Sequence, residues 1–157
     1  MNGAHLHLIL NHIPLVGLGF GFLLLCYALL RGEKDTRNAG LLVIIAAGLI
    51  AVPTFLTGDP AEDVVRGLAG ISRESIHHHE RIAQLALISS LAAALAAAAE
   101  WFTSSRKSWM IWVVLLVTLA SLVFMGYAAN LGGQIRHSEL SGLAGQALSL
   151  TEVEEEI

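Results

Sequence analysis

The chain has 157 residues, of which 55% are hydrophobic and 14% charged, with a formal net charge of −4. Soluble domains carry about 25% charged residues, and apolar content this high excludes disorder over most of the chain. A single cysteine, Cys26, excludes a disulfide scaffold, and the acidic balance argues against a nucleic-acid partner.

The apolar residues fall into four blocks, at 13–30, 39–56, 82–99 and 109–131. A bilayer core about 30 Å thick is crossed by about 20 apolar helical residues. A helix packed in a soluble bundle shows a polar stripe with a period of 3.6 residues, and these blocks show none. The expected fold is therefore all-α: a four-helix transmembrane bundle forming one membrane domain over 1–157. Nothing basic precedes the first block, so it reads as a retained span and not as a cleaved signal. Arg31, Lys34 and Arg37 follow the first block, and Arg106 and Lys107 follow the third. Under the positive-inside rule both loops stay in the cytoplasm. The N-terminus and C-terminus are then outside, in a bacterial inner (cytoplasmic) membrane. Trp101, Trp109 and Trp112 mark the inner interface.

In chain order, His5 and His7 alternate with Leu6 and Leu8, which reads as an extended, re-entrant or interfacial segment. Asn11 is placed to cap span one, and Pro14 suits its first turn. Gly17, Gly19 and Gly21 leave room for a neighbouring helix or for a flat cofactor. Pro53 predicts a kink or an early end to span two, and Gly58 a C-terminal stop. Asp59, Pro60 and Glu62 read as the start of a capping box, hence a short surface helix over 60–68. Ser72 is placed to cap the helix that runs into span three. Within it His77, His78 and His79 are turned about 100° from one another, so they cannot all face inward. His77 shares a face with Glu80, Arg81 and Gln84, and His79 shares one with Ala83 and Ala86. Gly132 and Gly133 permit a sharp turn that folds His137 back over the bundle. Residues 140–157 read as an acidic, solvated tail.

Four spans put all seven histidines at one end. His5, His7 and His12 open span one, His77–His79 open span three, and His137 follows span four. Ionisable groups at the membrane are costly and mark function by default. Haem iron in a helical bundle takes two imidazoles from facing helices. His12 and His79 are the expected axial ligands of a haem b, with His137 the substitute for either. Arg136 would serve the haem propionates, and Arg73 or Arg81 could do the same. The alternative is a copper or zinc site at the outer rim drawn from His5, His7, His12, His77, His78, His79 and His137, since borderline metals accept imidazole-only sites. A third reading is a structural subunit without cofactor. There is no H-E-x-x-H, no C-x-x-C and no nucleophile elbow. An electron-transfer subunit is therefore expected before a stand-alone enzyme. Its partners would be the lipid bilayer, other membrane subunits, quinol or an extracytoplasmic cytochrome.

Asn11-His12-Ile13-Pro14 opening span one, the histidines opening span three, the Gly58-Asp59 turn and Gly132-Gly133-Gln134-Ile135 closing span four resemble a bacterial family of four-span membrane proteins of unestablished function. Here the histidine–proline pair is split by Ile13. The resemblance covers nearly the whole chain and implies the four-span fold. Through a likeness to b-type cytochrome modules, it also implies a membrane subunit of a respiratory assembly.

Overall fold

The computed structural model describes residues 3–65, 72–103 and 108–136. His137 and the 140–157 tail lie outside the described residues. The helices are α1 (Gly3–Leu10), α2 (His12–Arg31), α3 (Lys34–Leu56), α4 (Gly58–Val65), α5 (Arg73–Phe102) and α6 (Ser108–Arg136). Four helical stretches are long and apolar enough to cross a membrane: His5–Arg31, Lys34–Asp63, Arg73–Phe102 and Trp109–Ile135. The chain is a multi-pass membrane protein.

The helices pack in the order α2, α3, α5, α6, with the closest associations between α5 and α6, α2 and α3, and α3 and α5. Contact between α2 and α6 is lighter. What lies inside is set by size as well as polarity. Ala93 and Ala97 are fully buried, while Leu95 between them is 72% exposed and Leu30 is 86% exposed. Such an outer surface would be an aggregation liability in water and is at home in hydrocarbon. Small inner residues let backbones approach closely, which is how helices associate in lipid. A methyl built on Gly17 would lie 2.8 Å from the Ala47 Cβ, and one on Gly21 would lie 2.6 Å from Ile44 Cγ1. The space over these two glycines is therefore filled by α3, not left for a flat ring. Gly48 meets the Ser90 carbonyl oxygen of α5 at 2.6 Å in the same test.

Buried positions recur at alternating steps of three and four, the spacing of helices packed at shallow angles. On α2 they are Pro14, Leu18, Gly21, Leu25 and Ala28. On α5 the same register runs through Ile76, Ala86, Ser90, Ala93, Ala97 and Glu100. On α6 it includes Ile111, Val114, Thr118, Ser121 and Ala128.

Local signals fare unevenly. Ser72 caps α5, accepting from the Ser75 amide at 3.0 Å. Asn11 does not cap α2. Its backbone is right-handed helical and its side chain makes no cap hydrogen bond, because α1 leads into α2 with the Asn11 amide bonded to the His7 carbonyl at 2.9 Å. The segment holding His5 and His7 is thus helical, and alternation with leucine there is not a strand signature. Pro53 lies in the last turn of α3, which runs on to Leu56. Thr57 is the C-cap of α3, so Gly58 does follow the end of that helix, but without a left-handed φ, and it opens α4. Nor do Gly132 and Gly133 make a turn: α6 continues through both to Arg136. Glycine does end α2, where Gly32 adopts φ 69°, a left-handed conformation that costs glycine little.

Candidate functional site at the histidine end

Each inner stripe can be followed to the end of the bundle that carries the histidines. Stepping back from Pro14 by three and then four residues gives Asn11 and His7. Stepping forward from Ile76 gives His79. Stepping forward from Ala51 on α3 gives Thr54, and from Ala128 on α6 gives Gly132. These four positions, His7, Thr54, His79 and Gly132, form the end layer of the bundle.

Thr54 is among the last residues of α3, where carbonyls lack an intrahelical partner. Its carbonyl oxygen accepts from the Thr57 hydroxyl at 2.7 Å and from His7 Nδ1 at 3.1 Å. His7 Nδ1 also lies 3.1 Å from Thr57 Oγ1. The Thr57 proton is committed to the Thr54 carbonyl, so Thr57 offers His7 only a lone pair. Both neighbours of His7 Nδ1 are acceptors, and Nδ1 therefore carries the ring proton. In the neutral ring Nε2 is then left as a bare lone pair.

His79 reaches the same state by another route. Its Nδ1 donates to the Ala128 carbonyl oxygen of α6 at 3.0 Å, and a carbonyl can only accept. His79 Nε2 is therefore the unprotonated nitrogen as well. The ring lies over Gly132, where a methyl would stand 3.1 Å from Cε1. An Nδ1–H held by a backbone carbonyl, with Nε2 free, is the arrangement that orients imidazoles as metal ligands.

The remaining histidines are placed differently. His77 is exposed and its Nδ1 lies 3.0 Å from Glu80 Oε2. His78 is exposed and meets Tyr127 edge-on, with ring centroids 5.8 Å apart. Among the three adjacent histidines, His79 is the one turned inward. His5 and His12 are exposed. Arg136 is the last residue of α6. Arg73 lines a cavity of about 240 Å³ between α4 and α5 with Glu62, Ile76 and His77. Among the described residues no group of three or more His, Cys, Asp or Glu side chains converges to hold a metal ion.

Sequence reasoning took His7 only as one of several rim histidines and did not find Thr54, Thr57 or Gly132. The three-four spacing counted back from Pro14 would have singled out His7 over His12. It also missed an ion pair at the opposite end, between Arg37 of α3 and Glu100 of α5, because both residues read as loop charges. Comparison with family models, with curated proteins and with solved structures gives no match.

Proposed function

We propose that this protein is an electron-transfer subunit of the bacterial inner membrane that holds one b-type haem at its histidine end, between His79 and His7. The observation that carries the reading is the matched pair of rings. Each comes from a different helix, each is held through Nδ1 by a main-chain carbonyl, and each presents Nε2 as a lone pair. Iron in a porphyrin asks the protein for only two axial ligands. Structural zinc asks for four protein ligands and catalytic zinc for three. Two imidazoles with matched tautomers, and no group of three or more His, Cys, Asp or Glu side chains among the described residues, suit the first demand.

In this reading His79 is the ligand already expected from sequence, and His7 takes the place of His12, whose side chain is exposed. His137 remains the substitute ligand and lies outside the described residues. Arg136, with Arg73 at the neighbouring cavity, would meet the propionates. The group would supply one-electron chemistry; the chain's own residues hold the two rings, fix their tautomers and shield one side of the site with the packed bundle. With both basic loops in the cytoplasm, both termini and the histidine end would lie outside, and 58–65 would be a surface helix there. The site would then face an extracytoplasmic carrier, with quinol or another membrane subunit as the source or acceptor of electrons.

The test is a haem and metal analysis of protein purified in detergent from haem-replete cells. One haem per chain, lost on His79→Ala, is expected. Copper or zinc without haem would replace this reading with metal sensing or delivery by the outer histidines. No cofactor of any kind would leave a structural subunit.

A further inference from the structure

We infer that Gly132 is a positioning residue for His79, acting by the absence of a side chain. This rests on the cofactor reading above, yet its geometry stands apart from it. Gly132 and Ala128 are one helical turn apart on the inner face of α6, and together they form a seat. The Ala128 carbonyl takes the His79 Nδ1 proton at 3.0 Å, and Gly132 takes the ring itself. A methyl at Gly132 would lie 3.1 Å from Cε1, 3.5 Å from Nδ1 and 3.8 Å from Nε2. The closest atom is a carbon of a ring tied down at Nδ1, not the far end of a flexible chain. The ring must therefore give by a few tenths of an ångström, and we infer that this shift disturbs the bond that sets its tautomer.

The neighbouring glycine supplies the control. A methyl on Gly133 meets nothing within 4 Å. Both glycines lie within α6, so alanine at either removes the same backbone freedom and favours helix to a similar degree. A purely helical role for the Gly-Gly pair would make the two substitutions equivalent. Seating of His79 would make them differ.

The experiment compares Gly132→Ala and Gly133→Ala in the full-length protein in detergent, with two readouts. The first is ¹⁵N NMR of histidine-labelled protein without added cofactor. The His79 ring should show a single tautomer, Nδ1 protonated, in wild type and Gly133→Ala, and a tautomer mixture in Gly132→Ala. The second is titration with haemin. Disturbing the groups that orient a ligating histidine typically weakens metal affinity by about 10–100-fold. Gly132→Ala should weaken haemin binding by about tenfold or more, and Gly133→Ala should leave it within about twofold of wild type. Identical NMR spectra for the two variants would overturn the inference. If wild type binds no haemin, the haem reading fails by itself and the tautomer comparison still decides the role of Gly132. A Gly132→Ala protein that does not fold while Gly133→Ala does would support the same steric conflict. In that case Gly132→Ala combined with His79→Ala, which removes the ring, should fold; its failure to do so would count against the seat.

Discussion

Arg37 of α3 pairs with Glu100 of α5 at the end of the bundle away from the histidines, and the Glu100 side chain is only 1% exposed. Between the two ends Ser90 bonds Ser121 at 2.8 Å, both fully buried. The inner face of α5 thus carries an imidazole, a hydroxyl and a carboxylate, each contacting a neighbouring helix. In a bundle whose outer and inner surfaces are both apolar, such polar pairs fix which faces meet.

Removing the cation from Arg37 leaves a buried carboxylate uncompensated. Loss of one partner of a buried pair is worth about 3–5 kcal/mol. Because Arg37 is 20% exposed, Arg37→Ala should destabilise by about 2–3 kcal/mol, at or below the low end of that range. Arg37→Met with Glu100→Leu should recover most of it. Unfolding by SDS in mixed micelles measures both, and an unchanged midpoint for Arg37→Ala would remove the pair from the stabilising contacts.

The close approach of α3 and α5 predicts a sharp contrast between glycines. Gly48→Ala drives a methyl to 2.6 Å from the Ser90 carbonyl oxygen and 2.7 Å from the Ala94 Cβ. Neither is a flexible tip, so overpacking of about 1–3 kcal/mol is expected. A methyl on Gly126 meets nothing within 4 Å, and Gly126→Ala should be neutral or stabilising by up to about 1 kcal/mol. The same micelle unfolding assay compares them, and equal effects would argue against the α3–α5 contact.

Much of the architecture was legible in the sequence, and the reason is length. A helix of 30 residues is about 45 Å long, and α5 has that many. Four such stretches in a row leave few alternatives. Inward and outward faces were harder to read, because lipid makes both apolar and the usual polar stripe vanishes. On α5 the distinguishing mark is size, alanine inside against leucine outside, as at Ala93 and Leu95, whereas α2 and α3 also bury Leu18, Leu25 and Leu41. Charges misled for a related reason: Arg37 and Glu100 read as loop residues, yet they lie in helices and face each other. At the candidate site His79 was legible from its face, shared with Ala83 and Ala86. Helical His7 was hidden by a short alternation with leucine, and Gly132 by a glycine pair that resembles a turn.

The ring assignments predict which histidines matter. His7→Ala and His79→Ala should each abolish low-spin haem, while His12→Ala, His77→Ala and His78→Ala should retain it, because those three side chains are exposed. Electron paramagnetic resonance of the oxidised protein reads the spin state. Loss of the low-spin signal on His12→Ala with retention on His7→Ala would move the second ligand to α2.

Orientation is tested by thiol labelling in a Cys26→Ser background. Cysteine at positions 12 and 75 should react with an impermeant maleimide from the periplasmic side, and cysteine at position 34 only after the membrane is opened. Labelling of positions 12 and 75 from opposite sides would break the four-span arrangement on which the shared histidine end depends.

The most direct measurement is the reduced-minus-oxidised absorption spectrum of the purified protein, taken beside those of His7→Ala and His79→Ala. Two imidazoles on one iron predict a Soret band that shifts on dithionite reduction, with sharp α and β bands in wild type and neither variant reproducing them. A colourless wild-type protein from haem-replete cells, or an unaltered spectrum in both variants, would contradict it.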